Sequence, residues 1–196
     1  MDHSPRRDVD TPSSPAQRKR RLETVNVPCI EDKKVVTILD SSLAWFNEAK
    51  NESYMTTLIN ILTRKEQFSL RLIDWMTTNY CRRHRIRVVH QGLSFDLHAD
   101  YRRYLAVYTK KCFDPFARRE RITIRYHPDD DTLTTTVGQL NFMRWFLQKG
   151  VDQVLRQMQH QIEHDMREYE GSRGQDRNPK AVTQWTISRG PFQLDF

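Results

Sequence analysis

The chain has 196 residues, 37% hydrophobic and 29% charged, with only 6 glycines and 8 prolines, which excludes a low-complexity protein and suits one domain of ordinary size with polar tails. Its 32 Lys and Arg outnumber its 25 Asp and Glu, so the net charge of +7 favours an anionic partner such as nucleic acid or an acidic protein face. Three widely spaced cysteines, Cys29, Cys81 and Cys112, do not form a disulfide framework and point to a reducing compartment; the absence of an apolar run near the ~18–20 residues of a span, or of an apolar leader, argues against a membrane partner.

Residues 1–27 are polar and rich in Pro, Ser and Thr, with almost nothing to bury, and are expected to be a disordered tail. Within them Arg6 and Arg7 precede Arg18, Lys19, Arg20 and Arg21 across a ten-residue spacer, the pattern of a bipartite nuclear import signal in which two cationic clusters on a flexible tether reach separate acidic grooves. Ser4-Pro5, Thr11-Pro12 and Ser14-Pro15 read as proline-directed phosphorylation sites that would weaken those clusters. The competing reading is a solubilising charged tail.

Residues 28–170 are expected to form a single α+β domain, amphipathic helices packed on small antiparallel hairpins. The β-branched run Val35–Leu39 reads as a short strand, and Asp40-Ser41-Ser42 as the cap of a helix through Trp45 and Phe46. Tyr54, Leu58, Ile61 and Leu62 recur at helical spacing, as do Phe68, Leu72, Trp75, Met76 and Tyr80. Alternation on either side of Gln91-Gly92 gives a hairpin; Tyr101, Tyr104, Leu105 and Tyr108 mark another helix, ended by Asp114-Pro115. A second hairpin joins the strand beginning at Ile122 to Leu133–Thr136 through an Asp-rich turn, and two helices, about 138–148 and 151–168, flank Gly150. Residues 171–196 are a linker and an apolar C-terminal peptide (Trp185, Ile187, Phe192, Leu194, Phe196) expected to dock in cis or in trans.

The charge is uneven: Arg64 to Tyr126 carries a net +9 and the remainder −2. Tyr80, Tyr101, Tyr104, Tyr108, Phe113 and Phe116 are interleaved with this basic stretch, which allows arginines on phosphates with aromatics stacked on unpaired bases. Cations near Arg82–Arg85 are equally what a helix C-terminus attracts, and tyrosines at helical spacing are also core residues. Cys81-x-x-His84 and His160-x-x-x-His164 have ligand-like spacing, but the pairs lie about eighty residues apart among charged side chains, so neither metal nor cofactor is expected. Glu163, Asp165, Glu168 and Glu170 read as a solvated acidic face. No phosphate loop, nucleophile elbow or kinase signature is present, and an enzyme is not expected.

Ile73-Asp74-Trp75 through Tyr80, Tyr101–Tyr108, Phe113-Asp114-Pro115-Phe116-x-Arg118-Arg119-x-Arg121-Ile122 and Thr135-Thr136-Val137-Gly138-Gln139-Leu140-Asn141-Phe142-x-Arg144-Trp145 together resemble a poorly characterised protein family of nucleocytoplasmic large DNA viruses. The likeness covers about residues 65–166. A position that is commonly Cys in the family is Ala117 here, against a thiol function at that spot. The resemblance implies a viral protein made in a eukaryotic host: a non-enzymatic structural or virion-associated protein, in the virion or host nucleus, with viral or virion proteins as partners and Arg118, Arg119, Arg121, Gln139, Asn141, Arg144 and Trp145 as its contact surface. The alternative is a nuclear, sequence-nonspecific factor binding DNA or RNA. The plainer reading of the aromatics is that Phe113, Phe116, Phe142, Trp145 and Phe146 pack the hairpin onto the terminal helices.

Overall fold

A computed structural model describes residues 20–28, 30–116, 118–127 and 131–172. The first basic cluster, Arg18, Lys19 and the C-terminal peptide lie outside the described residues. In chain order the elements are strand β1 (Arg21–Asn26), helix α1 (Lys33–Phe46), helix α2 (Glu52–Leu62), helix α3 (Leu70–Trp75), which runs through a π-helical turn (Met76–Tyr80) into α4 (Cys81–His84), the hairpin β2 (Arg87–His90) and β3 (Leu93–Asp96), helix α5 (Leu97–Cys112), the hairpin β4 (Ile122–His127) and β5 (Asp131–Thr135), helix α6 (Val137–Gln148) and helix α7 (Val151–Ser172). The fold is α+β, with antiparallel sheets ordered β1-β4-β5 and β2-β3. Among the described residues no helix is long and apolar enough to cross a membrane.

Helix α6 sits at the centre because it is apolar almost all round, and such a helix has to be buried. Ten of its residues, Val137–Met143 and Trp145–Leu147, are buried, and one continuous core surrounds them from Leu22 to Ile162. The Gln91-Gly92 hairpin is as expected: φ is positive at both central positions, 49° and 74°, as the tight turn between right-twisted strands requires. Gly150 joins α6 to α7 at φ 64°, where a Cβ would also stand 2.7 Å from the His90 ring.

Three expectations are corrected at the N-terminal side. Val35–Leu39 is helical, and Asp40-Ser41-Ser42 lies inside α1 instead of capping it, Ser42 donating to the Ile38 carbonyl. Asp32, three residues before Val35, accepts a hydrogen bond from the Lys34 amide at 3.0 Å, and Val35, Ile38, Leu39, Ser42, Trp45 and Phe46 then fall on one buried face. That amphipathic spacing overrides the β preference of branched side chains. Residues 21–26, assigned to the disordered tail, form an edge strand on β4, with Leu22 opposite Tyr126. Leu22 is its one buried side chain, and the Asn47 amide satisfies the outer edge there, accepting from the Leu22 amide at 2.7 Å and donating to its carbonyl at 2.9 Å. Arg20 and Arg21 are therefore held on the fold: Arg20 donates to Thr56 at 2.8 Å and lies 3.5 Å from Glu52, and Arg21 pairs with Glu23 at 2.9 Å.

The first turn of α7 holds a charge that the fold disfavours. Asp152 is 8% exposed, and its Oδ1 is buried without a hydrogen-bond partner. Burial pushes its carboxyl up to about 6, against the pull of Arg156 and with a further push from Glu66. The folded state holds this proton more tightly than the unfolded chain, so stability is full at acid pH and falls as pH rises from about 4 through 6. Asp152→Asn is expected to be about 1–3 kcal/mol more stable than the parent at pH 7.5 and nearly equal to it at pH 4, in urea titrations at the two pH values. An equal difference at both would show that the carboxyl is not strained by its charge.

Candidate contact surface

The two signature motifs meet where the chain leaving α5 crosses the first turn of α6. Thr136 caps α6, accepting from the Gln139 amide at 3.1 Å. Gly138 lets the helix approach the crossing chain: a Cβ there would lie 2.9 Å from the Lys111 carbonyl oxygen. Gln139 accepts from the Thr135 hydroxyl at 2.8 Å and donates to the Pro115 carbonyl at 2.7 Å; Asn141 donates to the Cys112 carbonyl at 2.9 Å. The Asp114 amide donates to the Gly138 carbonyl at 3.3 Å. These buried amides satisfy loop backbone groups that would otherwise cost desolvation energy.

Three proposed contact residues are thereby relocated. Gln139 (3% exposed), Asn141 (6%) and Trp145 (1%) are interior and cannot touch a partner in this fold. Trp145 packs against Phe113 at 5.5 Å and Phe142 at 5.4 Å, and its indole donates to Asp100 Oδ2 at 2.8 Å, whose other oxygen is taken by Arg103. Arg144 is half-buried and turned onto α1, donating to the Ser41 hydroxyl at 2.7 Å with its guanidinium over Trp45. Phe113, Phe142 and Phe146 are fully buried, as the packing reading holds, while Phe116 is half-covered by the Arg118 guanidinium at 4.9 Å. Tyr101, Tyr104 and Tyr108 lie against this same cluster, so their rings are packed rather than free for bases.

Arg118, Arg119 and Arg121 remain exposed. They project from a fixed loop: Asp114 accepts from the Phe116 amide at 2.9 Å and faces Arg118 at 3.6 Å. Arg119 and Arg121 make no ion pair or hydrogen bond with the described residues. The end of α5 supplies two further cations of the basic stretch, Lys110 and Lys111. Between them and Tyr108 the helix breaks at Thr109, where φ 60° and ψ 167° are values only glycine adopts readily, a strain on the order of 1–3 kcal/mol. The break is held on both sides, Lys34 donating to the Val107 carbonyl at 3.1 Å and Lys111 to Asp32 at 3.2 Å. The Asp74 carboxyl is raised by burial and then by Asp114, while the positive charges of Arg118 and Lys110 oppose the rise. Lys111 and Arg119 line a shallow pit beside the start of α6. Residues 109–121 thus form a cationic ridge of five Lys and Arg against Asp114 and Glu120, with Asp32 paired to Lys111 from the cap of α1.

The other candidate clusters take structural roles. Asp165 is not solvated: it accepts from Trp75 at 2.8 Å and from Arg83, with His84 at 3.4 Å, and so ties α7 to α3 and α4. Arg83 also lies over the rings of Trp75 and Tyr169, which accounts for that arginine without a ligand. Cys81 is fully buried with its thiol pushed far up by desolvation, and His164 faces Glu168 at 3.6 Å; among the described residues no group of three His, Cys, Asp or Glu is placed to hold a metal ion.

An uncharacterised protein, L507, of Acanthamoeba polyphaga mimivirus is 27% identical over 143 residues, 69% of this chain and 54% of its own length, so the chain spans about half of that relative. No solved structure matches. The matched region of the family profile, residues 29–185, extends the likeness upstream through α1 and α2 and beyond α7. On that match, over most of its length, the chain belongs to DUF7197, a family of unknown function.

Proposed function

We propose that the chain is a non-enzymatic structural or virion-associated protein of a large DNA virus, working through the cationic ridge at residues 110–121. The observation that carries this reading is the division of labour between the motifs. The second motif spends its polar side chains on loop backbone groups, and the first displays arginines on the loop so fixed. The mimivirus relative supports a viral origin. The chemistry-bearing side chains near the ridge are engaged in holding structure, which favours contact over catalysis. The placement that follows is the virion or the host nucleus, in a reducing compartment. Arg118, Arg119 and Arg121 remain as contact residues; Gln139 and Asn141 hold the crossing chain from beneath, Trp145 packs against Phe113, and Arg144 is spent on α1.

A tagged chain, produced during infection by the encoding virus, is expected to band with purified particles on a density gradient and to survive detergent washing. Its absence from washed particles would contradict the virion assignment.

A further inference from the structure

We infer that the ridge formed by Lys110, Lys111, Arg118, Arg119 and Arg121 binds the phosphate backbone of double-stranded nucleic acid without reading its sequence. This deepens the proposed function by naming the ligand of the same surface. Three observations favour phosphates over an acidic protein face. The ridge is rich in arginine, whose planar fork matches phosphate oxygens bidentately. Among the described residues it has no fully exposed aromatic anchor: Phe113, Phe142 and Trp145 are buried, Phe116 is half-covered, and the exposed apolar side chain nearest along the chain is the small Val107, whereas protein interfaces concentrate their energy in aromatic anchors at a centre depleted of charge. And Thr109 breaks α5 just before the two lysines, with Lys111 lining the same pit as Arg119, so that the end of α5 adds its cations to those of the loop.

The structure also decides between duplex and single strand. A single-strand surface needs aromatic faces on which bases stack. Tyr101, Tyr104 and Tyr108 have their rings against Phe113. Contact with the backbone alone positions a protein on nucleic acid and carries no sequence information.

The test uses the full chain with Arg6, Arg7, Arg18 and Lys19 replaced by Ala, which silences the N-terminal cations, and a fluorescent 30-base-pair duplex of mixed sequence as probe. Affinity is expected to fall steeply with salt, because each neutralised phosphate releases condensed counterions. Combining Lys110→Ala, Arg118→Ala, Arg119→Ala and Arg121→Ala should weaken binding on the order of 100-fold at moderate salt and remove about three to four from the log–log salt slope. The melting temperature should be unchanged, since all four side chains are exposed. Arg118→Lys, Arg119→Lys and Arg121→Lys together should keep the slope, so a folding failure of the alanine variant leaves a second reading. Arg82→Ala with Arg87→Ala, remote in sequence from the ridge, should change little. Unchanged binding in the ridge variant overturns the assignment, as does a clear preference for single-stranded probe. Capture of poly-glutamate but not of duplex also overturns it, while leaving the particle test of the proposed function standing on its own.

Discussion

Trp145→Ala is expected to cost about 3–5 kcal/mol, enough to bring a domain of ordinary stability close to unfolding at room temperature. The indole is the centre of the aromatic cluster, within 6.1 Å of the rings of Tyr101, Tyr104, Phe113 and Phe142, so truncation opens a cavity that several large neighbours cannot close. It also removes a donor from Asp100, a carboxylate with only 4% of its side chain exposed that would then lean on Arg103 alone. Leaving a buried charge underpaired adds to the cavity cost. Trp145→Phe separates the two effects: most of the packing stays, and the lost hydrogen bond to a charged acceptor should cost about 1.5–3 kcal/mol. Urea denaturation of both variants measures this. A Trp145→Ala chain that keeps its stability but loses duplex binding would return Trp145 to the surface.

Gln139→Leu is expected to cost about 2–4 kcal/mol, because the Thr135 hydroxyl and the Pro115 carbonyl are each left buried without a partner at about 1–3 kcal/mol apiece. Leucine fills a similar volume, so the loss is one of hydrogen bonds, not of packing. Its signature is local as well as global. The loop that Gln139 pins carries the Phe116 and Arg118 amides, which donate to Asp114 Oδ1 and to the Phe116 carbonyl at 2.9 and 3.0 Å. Those amides should exchange with solvent faster in the variant, relative to amides of β2 and β3, and duplex affinity should drop several-fold while the salt slope is kept. Unchanged exchange at Phe116 and Arg118 would show that the loop is held by something other than Gln139.

Most elements were readable in the sequence because their signals are local. Gln91-Gly92 between alternating segments can be satisfied by one tight hairpin, and the 3–4 spacing of Leu58, Ile61 and Leu62, or of the residues on either side of Gly150, specifies a helix wherever it packs. Failures came where the deciding partner is distant. Nothing near Leu22 announces that Asn47, 25 residues later, will complete its strand edge. Val35–Leu39 carries the branched side chains of a strand, and the cap that decides for helix is Asp32, not the better-looking Asp40-Ser41-Ser42 further on. The site divided on the same line. Arg118, Arg119 and Arg121 were legible as exposed cations. Gln139 and Asn141 resemble surface residues because they interleave with aromatics and Arg144 in the motif, yet they sit in a mostly apolar helix that is buried at ten of its twelve positions. Lys110 and Lys111 belong to the basic stretch from Arg64 to Tyr126, but nothing local places them beside Arg118 and Arg119. Their place on the ridge depends on the break at Thr109, a backbone conformation that threonine does not advertise.

The most direct test is the salt dependence of duplex binding, read in parallel for the tail-neutralised chain and for the same chain lacking the charges of Lys110, Arg118, Arg119 and Arg121. The expected result is a steep slope, about four in log–log terms, that collapses toward one when the ridge is neutralised while the melting temperature stays fixed. Identical slopes for the two proteins, or no binding by either at low salt, would contradict a nucleic-acid role for the ridge.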